Sequence, residues 1–165
     1  MWTLTAHDES SLRAISGAVH DAYIDGDVEF DRRAGVVVVP VAQEGWAHGP
    51  PGEQQLIRET WRFREHRVTF FRGWLTIRRV LELHEPDDWD APMIEGVTFQ
   101  QASHEIHVYA DEPLRATVEA VDVTLEISAE VSGHVRRRIG KLIGGTSDVW
   151  LDQRRSGVRT GRLPL

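Results

Sequence analysis

The chain contains no cysteine, and of its 19 basic residues only Lys141 is a lysine. Without thiols there is no disulfide framework, no thiolate zinc centre, no iron–sulfur cluster and no cysteine nucleophile. Long apolar runs are also missing: the longest, Ala34 to Ala42, is interrupted by Pro40. Crossing a bilayer takes roughly 20 apolar residues, so no membrane span is expected. The opening residues Met1-Trp2-Thr3-Leu4-Thr5-Ala6-His7-Asp8 have neither the basic start nor the apolar stretch of a secretory signal, and the expected location is cytoplasmic. No Gly-x-Ser-x-Gly elbow, phosphate-binding Gly-x4-Gly-Lys-Ser/Thr loop, His-Glu-x-x-His or Gly-x-Gly-x-x-Gly is present. That removes the enzyme classes that announce themselves locally, but not catalysis by residues that only folding brings together.

What is present has ordinary proportions. The 165 residues are 41% hydrophobic and 27% charged, as expected of one globular domain with a real core. A chain of this length buries roughly 68–70% of its unfolded surface. Charge is uneven: residues 1–60 carry −6, residues 61–133 carry −7 and residues 134–165 carry +6, for a net −7. Arginine in such excess over lysine suits bidentate carboxylate or phosphate recognition, and it equally suits a GC-rich coding bias. The acidic body disfavours broad nucleic-acid binding, which needs a basic face to displace counterions.

Asp8 to Tyr23 reads as a helix. Leu12, Ile15, Val19 and Ala22 form a stripe on the 3.6-residue period, Asp8 can cap it, and Asp25-Gly26-Asp27 stops it. The period then changes to two. Val28–Phe30 and Gly35–Ala42 read as a hairpin around Asp31-Arg32-Arg33-Ala34, and Gly45–Gly52 as a loop. Glu53–Thr60 reads as a helical turn or an extension of that loop. Arg67–Phe71 and Trp74–Leu83 read as strands with a bulge or turn at Gly73, and Ile94–Gln100 with His104–Ala110 as a strand pair. Leu114–Ser128 reads as one strand, in which Val121, Val123, Leu125 and Ile127 alternate with polar residues, one face core and one wet. Val135, Ile139, Leu142 and Ile143 among Arg136, Arg137, Arg138 and Lys141 fit a short basic amphipathic helix, followed by a flexible tail.

The fold expected is α+β: an N-terminal helix packed on a strongly bent antiparallel sheet of about six or seven strands, with a basic C-terminal helix or tail. Residues 1–133 would form the body and 134–165 the basic segment. Cutting the chain after Gly144 is expected to leave stability almost unchanged.

Three clusters carry candidate chemistry. His20, Asp21 and Asp25 at the helix end offer an imidazole and two carboxylates for acid/base or metal work. On a continuing helix His20 and Asp21 diverge by about 100°, and His20 then simply complements the negative end of the helix dipole. His104 and His107 would share a metal on a helix, but on a strand they face opposite ways, and the alternation of Ile106 and Val108 favours the strand. The acidic loop 84–90 matches no calcium-loop spacing, although the two prolines of the connection 84–93 could display Trp89. No metal site or cofactor is expected.

Tryptophans supply the remaining signal. Trp61 and Trp74 suit core packing, whereas Trp46, Trp89 and Trp150 fall in loops or ends and suit an interface. Together with Arg136, Arg137 and Arg138 they make a candidate binding surface. The function expected is a non-enzymatic protein-interaction or regulatory module, with a protein partner or self-association. The alternative is a small-molecule or metal-ion binding protein, hydrolytic if His20, Asp21 and Asp25 converge.

Overall fold

The computed structural model describes residues 1–47, 49–86, 93–142 and 144–151, with the backbone alone for Trp150. Strand β1 (Trp2–Ala6) leads into helix α1 (Glu9–Val19), whose first turn is closed as the sequence suggests. Asp8 Oδ1 accepts the Ser11 amide at 2.7 Å, and Ser11 Oγ accepts the Asp8 amide at 3.3 Å. These bonds satisfy amides that the helix itself cannot, and the Ser11 amide holds the Asp8 carboxyl below its usual range. Leu12, Ile15, Ala18 and Val19 are buried.

The helix ends at Val19 rather than Tyr23 because the next residues are taken by strands. Asp21 adopts φ 67°, its amide bonds Ile94 O at 2.9 Å, and Ile94 N bonds Ala22 O at 2.7 Å. Tyr23 and Ile24 form β2, paired with Ala42 and Val41 of β4 (Val36–Gln43). The expected hairpin is present: β3 (Glu29–Asp31) pairs with β4, and Asp31 Oδ1 accepts the Arg33 and Ala34 amides at 2.9 and 3.0 Å. Pro40 sits where the neighbouring edge changes from β3 to β2, so its missing amide interrupts neither ladder.

Beyond this point the chain builds two sheets, not one strongly bent sheet, with twelve strands among the described residues. The first is organised around two long strands, β6 (Phe63–Arg78) and β11 (Val123–Gly140). One half of this ribbon, the body, pairs with β4 on one side and β1 on the other. Its other half, the arm, is flanked by β5 (Glu53–Glu59) and β12 (Thr146–Trp150). The second sheet contains β7 (Val80–His84), β8 (Gly96–Gln100), β9 (Glu105–Tyr109) and β10 (Leu114–Val118), in the order β7-β10-β9-β8. The chain passes from the first sheet to the second at Arg79, where φ is 57°, and returns through residues 119–122.

One apolar cluster unites α1, the body half of the first sheet and the second sheet, with Leu12, Ile15, Val39, Leu75, Ile106 and Leu125 among its members. Ser16 Oγ accepts the Val97 amide at 2.9 Å, so α1 also covers the edge of β8. A separate small cluster of Ala42, Val68, Phe70 and Val135, with Tyr23 against it, lies at the root of the arm. Among the described residues no helix is long and apolar enough to cross a membrane.

Several expectations are corrected. Residues 53–59 form a fully exposed strand, not a helical turn or loop. Gly73 lies inside β6 without a turn, although the register with β11 shifts beside it. The expected strands 74–83 and 114–128 are each divided between the two sheets, at Arg79 and at residues 119–122. The basic amphipathic helix is absent: 134–140 continue β11, each residue paired with β6 from Thr69 back to Phe63. Its spacing suited a helix, but the free ladder of β6 supplies backbone partners that a short isolated helix would lack. Residues 146–150 form β12 on the far side of β11, so the segment after Gly144 is bonded to the arm. The part of the expected tail at 152–165, and Trp89, lie outside the described residues.

Candidate functional site

The helix-exit cluster separates on folding. Because Asp21 leaves the helix with positive φ, its Oδ2 reaches His20 Nδ1 at 3.1 Å, contrary to the divergence a continuing helix would impose. That pair is exposed. The side chain of Asp25 is instead buried, where its Oδ2 accepts Ser132 Oγ and lies 3.9 Å from Arg72 Nε. Arg72 also reaches Glu130 at 3.2 Å. Ser132 occupies the irregular stretch of β11 between Val131 and Gly133, so Asp25 fastens a local break in the ladder. The surface pair and the buried carboxylate thus have different neighbours and different solvent access.

Of the two histidines expected on one strand, only His107 lies in β9. His107 Nε2 meets Glu105 Oε2 at 3.0 Å, and Ser103 Oγ donates to the same oxygen at 2.9 Å. These bonds, the His107 one first, lower the Glu105 pKa. His104 sits in the preceding turn at φ 53° with its ring edge-on to Phe99. Among the described residues no group of three or more His, Asp or Glu side chains is placed to hold a metal ion.

Of the proposed aromatic anchors, Trp46 is corrected. It is only 4% exposed, packed in the main core with its Nε1 donating to Phe71 O at 3.3 Å. Two glycines make the space: a Cβ on Gly73 would lie 3.1 Å from Trp46 Cζ2, and one on Gly49 would lie 2.9 Å from Trp46 Cβ. Nothing in a loop tryptophan's local sequence reports that distant clearance. Trp61, assigned to the core by its surroundings in the sequence, is 68% exposed at the β5–β6 turn, where the guanidinium of Arg62 lies 4.4 Å from its ring centre. Trp150 contributes its backbone to β12 opposite Val135.

The three arginines of β11 have distinct neighbours. Arg137 binds Asp148 through Nε at 3.0 Å and Nη2 at 2.9 Å, while Nη1 reaches Glu44 at 2.6 Å. The Asp148 hydrogen bonds, opposed by burial and assisted by Glu44, raise its pKa further. Burial, with Asp148 next, pushes the nearby Tyr23 phenol up. Arg138 binds Glu65 at 3.0 Å and stacks 3.9 Å above the Phe63 ring centre, and Arg136 is exposed. Arg137 is therefore a clamp inside the arm, leaving Arg136 and part of Arg138 to face outward.

At the tip of the arm two turns meet. Lys141 N bonds Arg62 O at 2.8 Å, and Glu59 Oε1 accepts both Lys141 Nζ at 2.5 Å and Arg64 Nε at 2.8 Å. Those two cations, Lys141 first, lower the Glu59 pKa to about 2. Trp61 and Leu142, each 68% exposed, stand on the two joined turns. A second feature escaped the sequence reading: Arg32, Arg33, Arg78 and Arg79 line one open cleft where the two sheets meet. Its sequence signal was the recurrence of Arg-Arg at a hairpin turn and at a strand end.

No protein-family model matches the chain, and comparison with curated proteins and with solved structures found no significant match.

Proposed function

We propose that the protein is a non-enzymatic interaction module that engages a protein partner through the tip of the β5–β6–β11–β12 arm. The observation that carries this reading is the pair of large apolar side chains, Trp61 and Leu142, held outward on turns that are bonded to each other. Exposed tryptophans beside arginines are the residue types that dominate binding energy at protein interfaces. Arg58, Arg62, Arg64 and Lys141 outnumber Glu59 around them, so the matching surface is an apolar pocket with an acidic rim. A second copy of this chain is one candidate occupant, because its body is acidic.

The test is a photo-crosslinking amino acid placed at position 61, with position 81 as an exposed apolar control, in the full chain expressed in cells. A discrete adduct from position 61 that weakens with Arg62→Glu is expected, with little from position 81. Sedimentation velocity of the purified protein then shows whether the adduct is a homodimer. Equal crosslinking from both positions, or none from position 61, overturns the reading.

A further inference from the structure

We propose that the arginine-lined cleft between the sheets is an anion site for a small phosphate-bearing molecule, bound by Arg32, Arg33, Arg78 and Arg79. This inference is independent of the arm. The cleft holds about 510 Å³, within the range of small-molecule sites and more than a bare phosphate fills. Its geometry follows from a tight contact between two chain segments. Gly35, at φ 64°, lies so close to β7 that a Cβ there would sit 3.0 Å from Val80 O, and Val80 N bonds Gly35 O at 2.9 Å. That contact sets the β3–β4 turn, with Arg32 and Arg33, opposite the end of β6, with Arg78 and Arg79.

The four guanidinium groups concentrate positive charge in a chain of net charge −7, with Arg78 Nη1 donating to Thr124 Oγ1 at 2.7 Å and Arg32 lying 5.8 Å from the Phe30 ring centre. The cleft supplies Glu119 and Asp122. Asp122 lies 3.8 Å from Arg78 Nη1, 3.8 Å from Arg79 Nε and 3.9 Å from His7 Nδ1. These separations exceed those of direct hydrogen bonds, so one carboxylate is shared loosely among three bases. Arg32 and Arg33 meet no carboxylate among the described residues. Phosphate oxygens match the planar fork of arginine, and several forks can share one phosphate.

Arg79 adds an independent argument. Its φ of 57° belongs to the left-handed region, where glycine or asparagine is at ease and a long side chain is disfavoured. A strained residue carrying a charged group into a cleft is the pattern of a binding position. Leu81, 62% exposed on the same wall, offers an apolar face to the remainder of the ligand.

The experiment is isothermal titration of the full chain with phenyl phosphate and with methyl phosphate at matched ionic strength. Phenyl phosphate is expected to bind more tightly, and Leu81→Ser to narrow the difference. Arg33→Ala, on an exposed turn, is expected to weaken binding about tenfold, the loss of one charge-assisted contact. Arg79→Gly should weaken it similarly while leaving the melting temperature of the free protein unchanged or raised, which a merely structural arginine would not do. Asp122→Asn removes a competing negative charge and should tighten binding by about three- to tenfold. Absence of binding at millimolar phenyl phosphate, or affinities unmoved by Arg33→Ala and Arg79→Gly, overturns the proposal.

Discussion

Strands β6 and β11 are each shared by two regions that use the same backbone pairing and little else in common. In the body, Leu75, Ile77, Val123, Leu125 and Ile127 are fully buried, against a core that α1 and the second sheet complete. In the arm, the same two strands present Arg64, Glu65, Arg137 and Arg138, and hold their neighbours by ion pairs. Hydrogen-bonded ladders are equally available to both, so they do not distinguish them. What differs is the material on the faces. Apolar burial gives the body a stability that owes little to ion pairing, whereas partly exposed charge pairs contribute less and are screened. The arm is consequently the part of the molecule whose order depends most on ionic strength.

The sharpest way to break this contrast is a cavity in the body. Leu75→Ala is expected to cost about 2–5 kcal/mol, read as a lower urea midpoint, with body and arm unfolding together. Gly73→Ala should come next. Its new Cβ would lie 3.0 Å from Glu126 O and 3.1 Å from the Trp46 ring, so about 1–3 kcal/mol of overpacking is expected, with a shifted tryptophan emission spectrum.

In the arm the corresponding substitution is Arg137→Ala. It strands Asp148 and Glu44 around a guanidinium site that is 18% exposed, and about 1–3 kcal/mol is expected. Hydrogen exchange should quicken in β5 and β12 while β8, β9 and β10 keep their protection. Equal loss in both sheets would show that the two regions are one cooperative unit.

Acid should act most weakly, through carboxyls held low in the folded chain: Asp8 at the helix cap, Glu105 in the second sheet and Glu59 at the tip. Glu59 has its folded pKa lowered from 4.5 to about 2. A group depressed in this way contributes stability above its unfolded value and loses it as pH falls through the folded one. The stability contributed by the latch to Lys141 and Arg64 is therefore full above about pH 4.5 and falls away progressively toward pH 2. Trp61 fluorescence should change across that window, and Glu59→Gln should abolish the change.

The same contrast decides what the sequence could disclose. The Asp8 cap, the Asp31 turn and the buried positions Val123, Leu125 and Ile127 are determined by residues close in the chain and read correctly, whereas the extent of that last strand does not, because 114–118 belong to the other sheet. Arg138 finds Glu65 across 73 positions and Arg137 finds Glu44 across 93, so the pairings that make 134–140 a strand leave no local period. An apolar spacing suited to a helix was left to decide, and among the described members of that set Val135 alone is buried deeply. Trp46 shows the converse: its burial depends on glycines at 49 and 73 whose lack of side chains matters only after folding. Of the candidate site, His20, Asp21 and Asp25 were identifiable as chemistry, but their separation into a surface pair and a buried anchor rests on Ser132 and Arg72.

The pairing of β1 with β11 joins Trp2–Ala6 to Val123–Ile127. During synthesis the first strand made must therefore wait until residue 127 has left the ribosome, a delay on the order of 10 s at typical elongation rates. The hairpins of the second sheet, β8–β9 and β9–β10, close over short loops and can form earlier. For that interval the nascent chain carries a half-built sheet in which β1 has no strand to pair with.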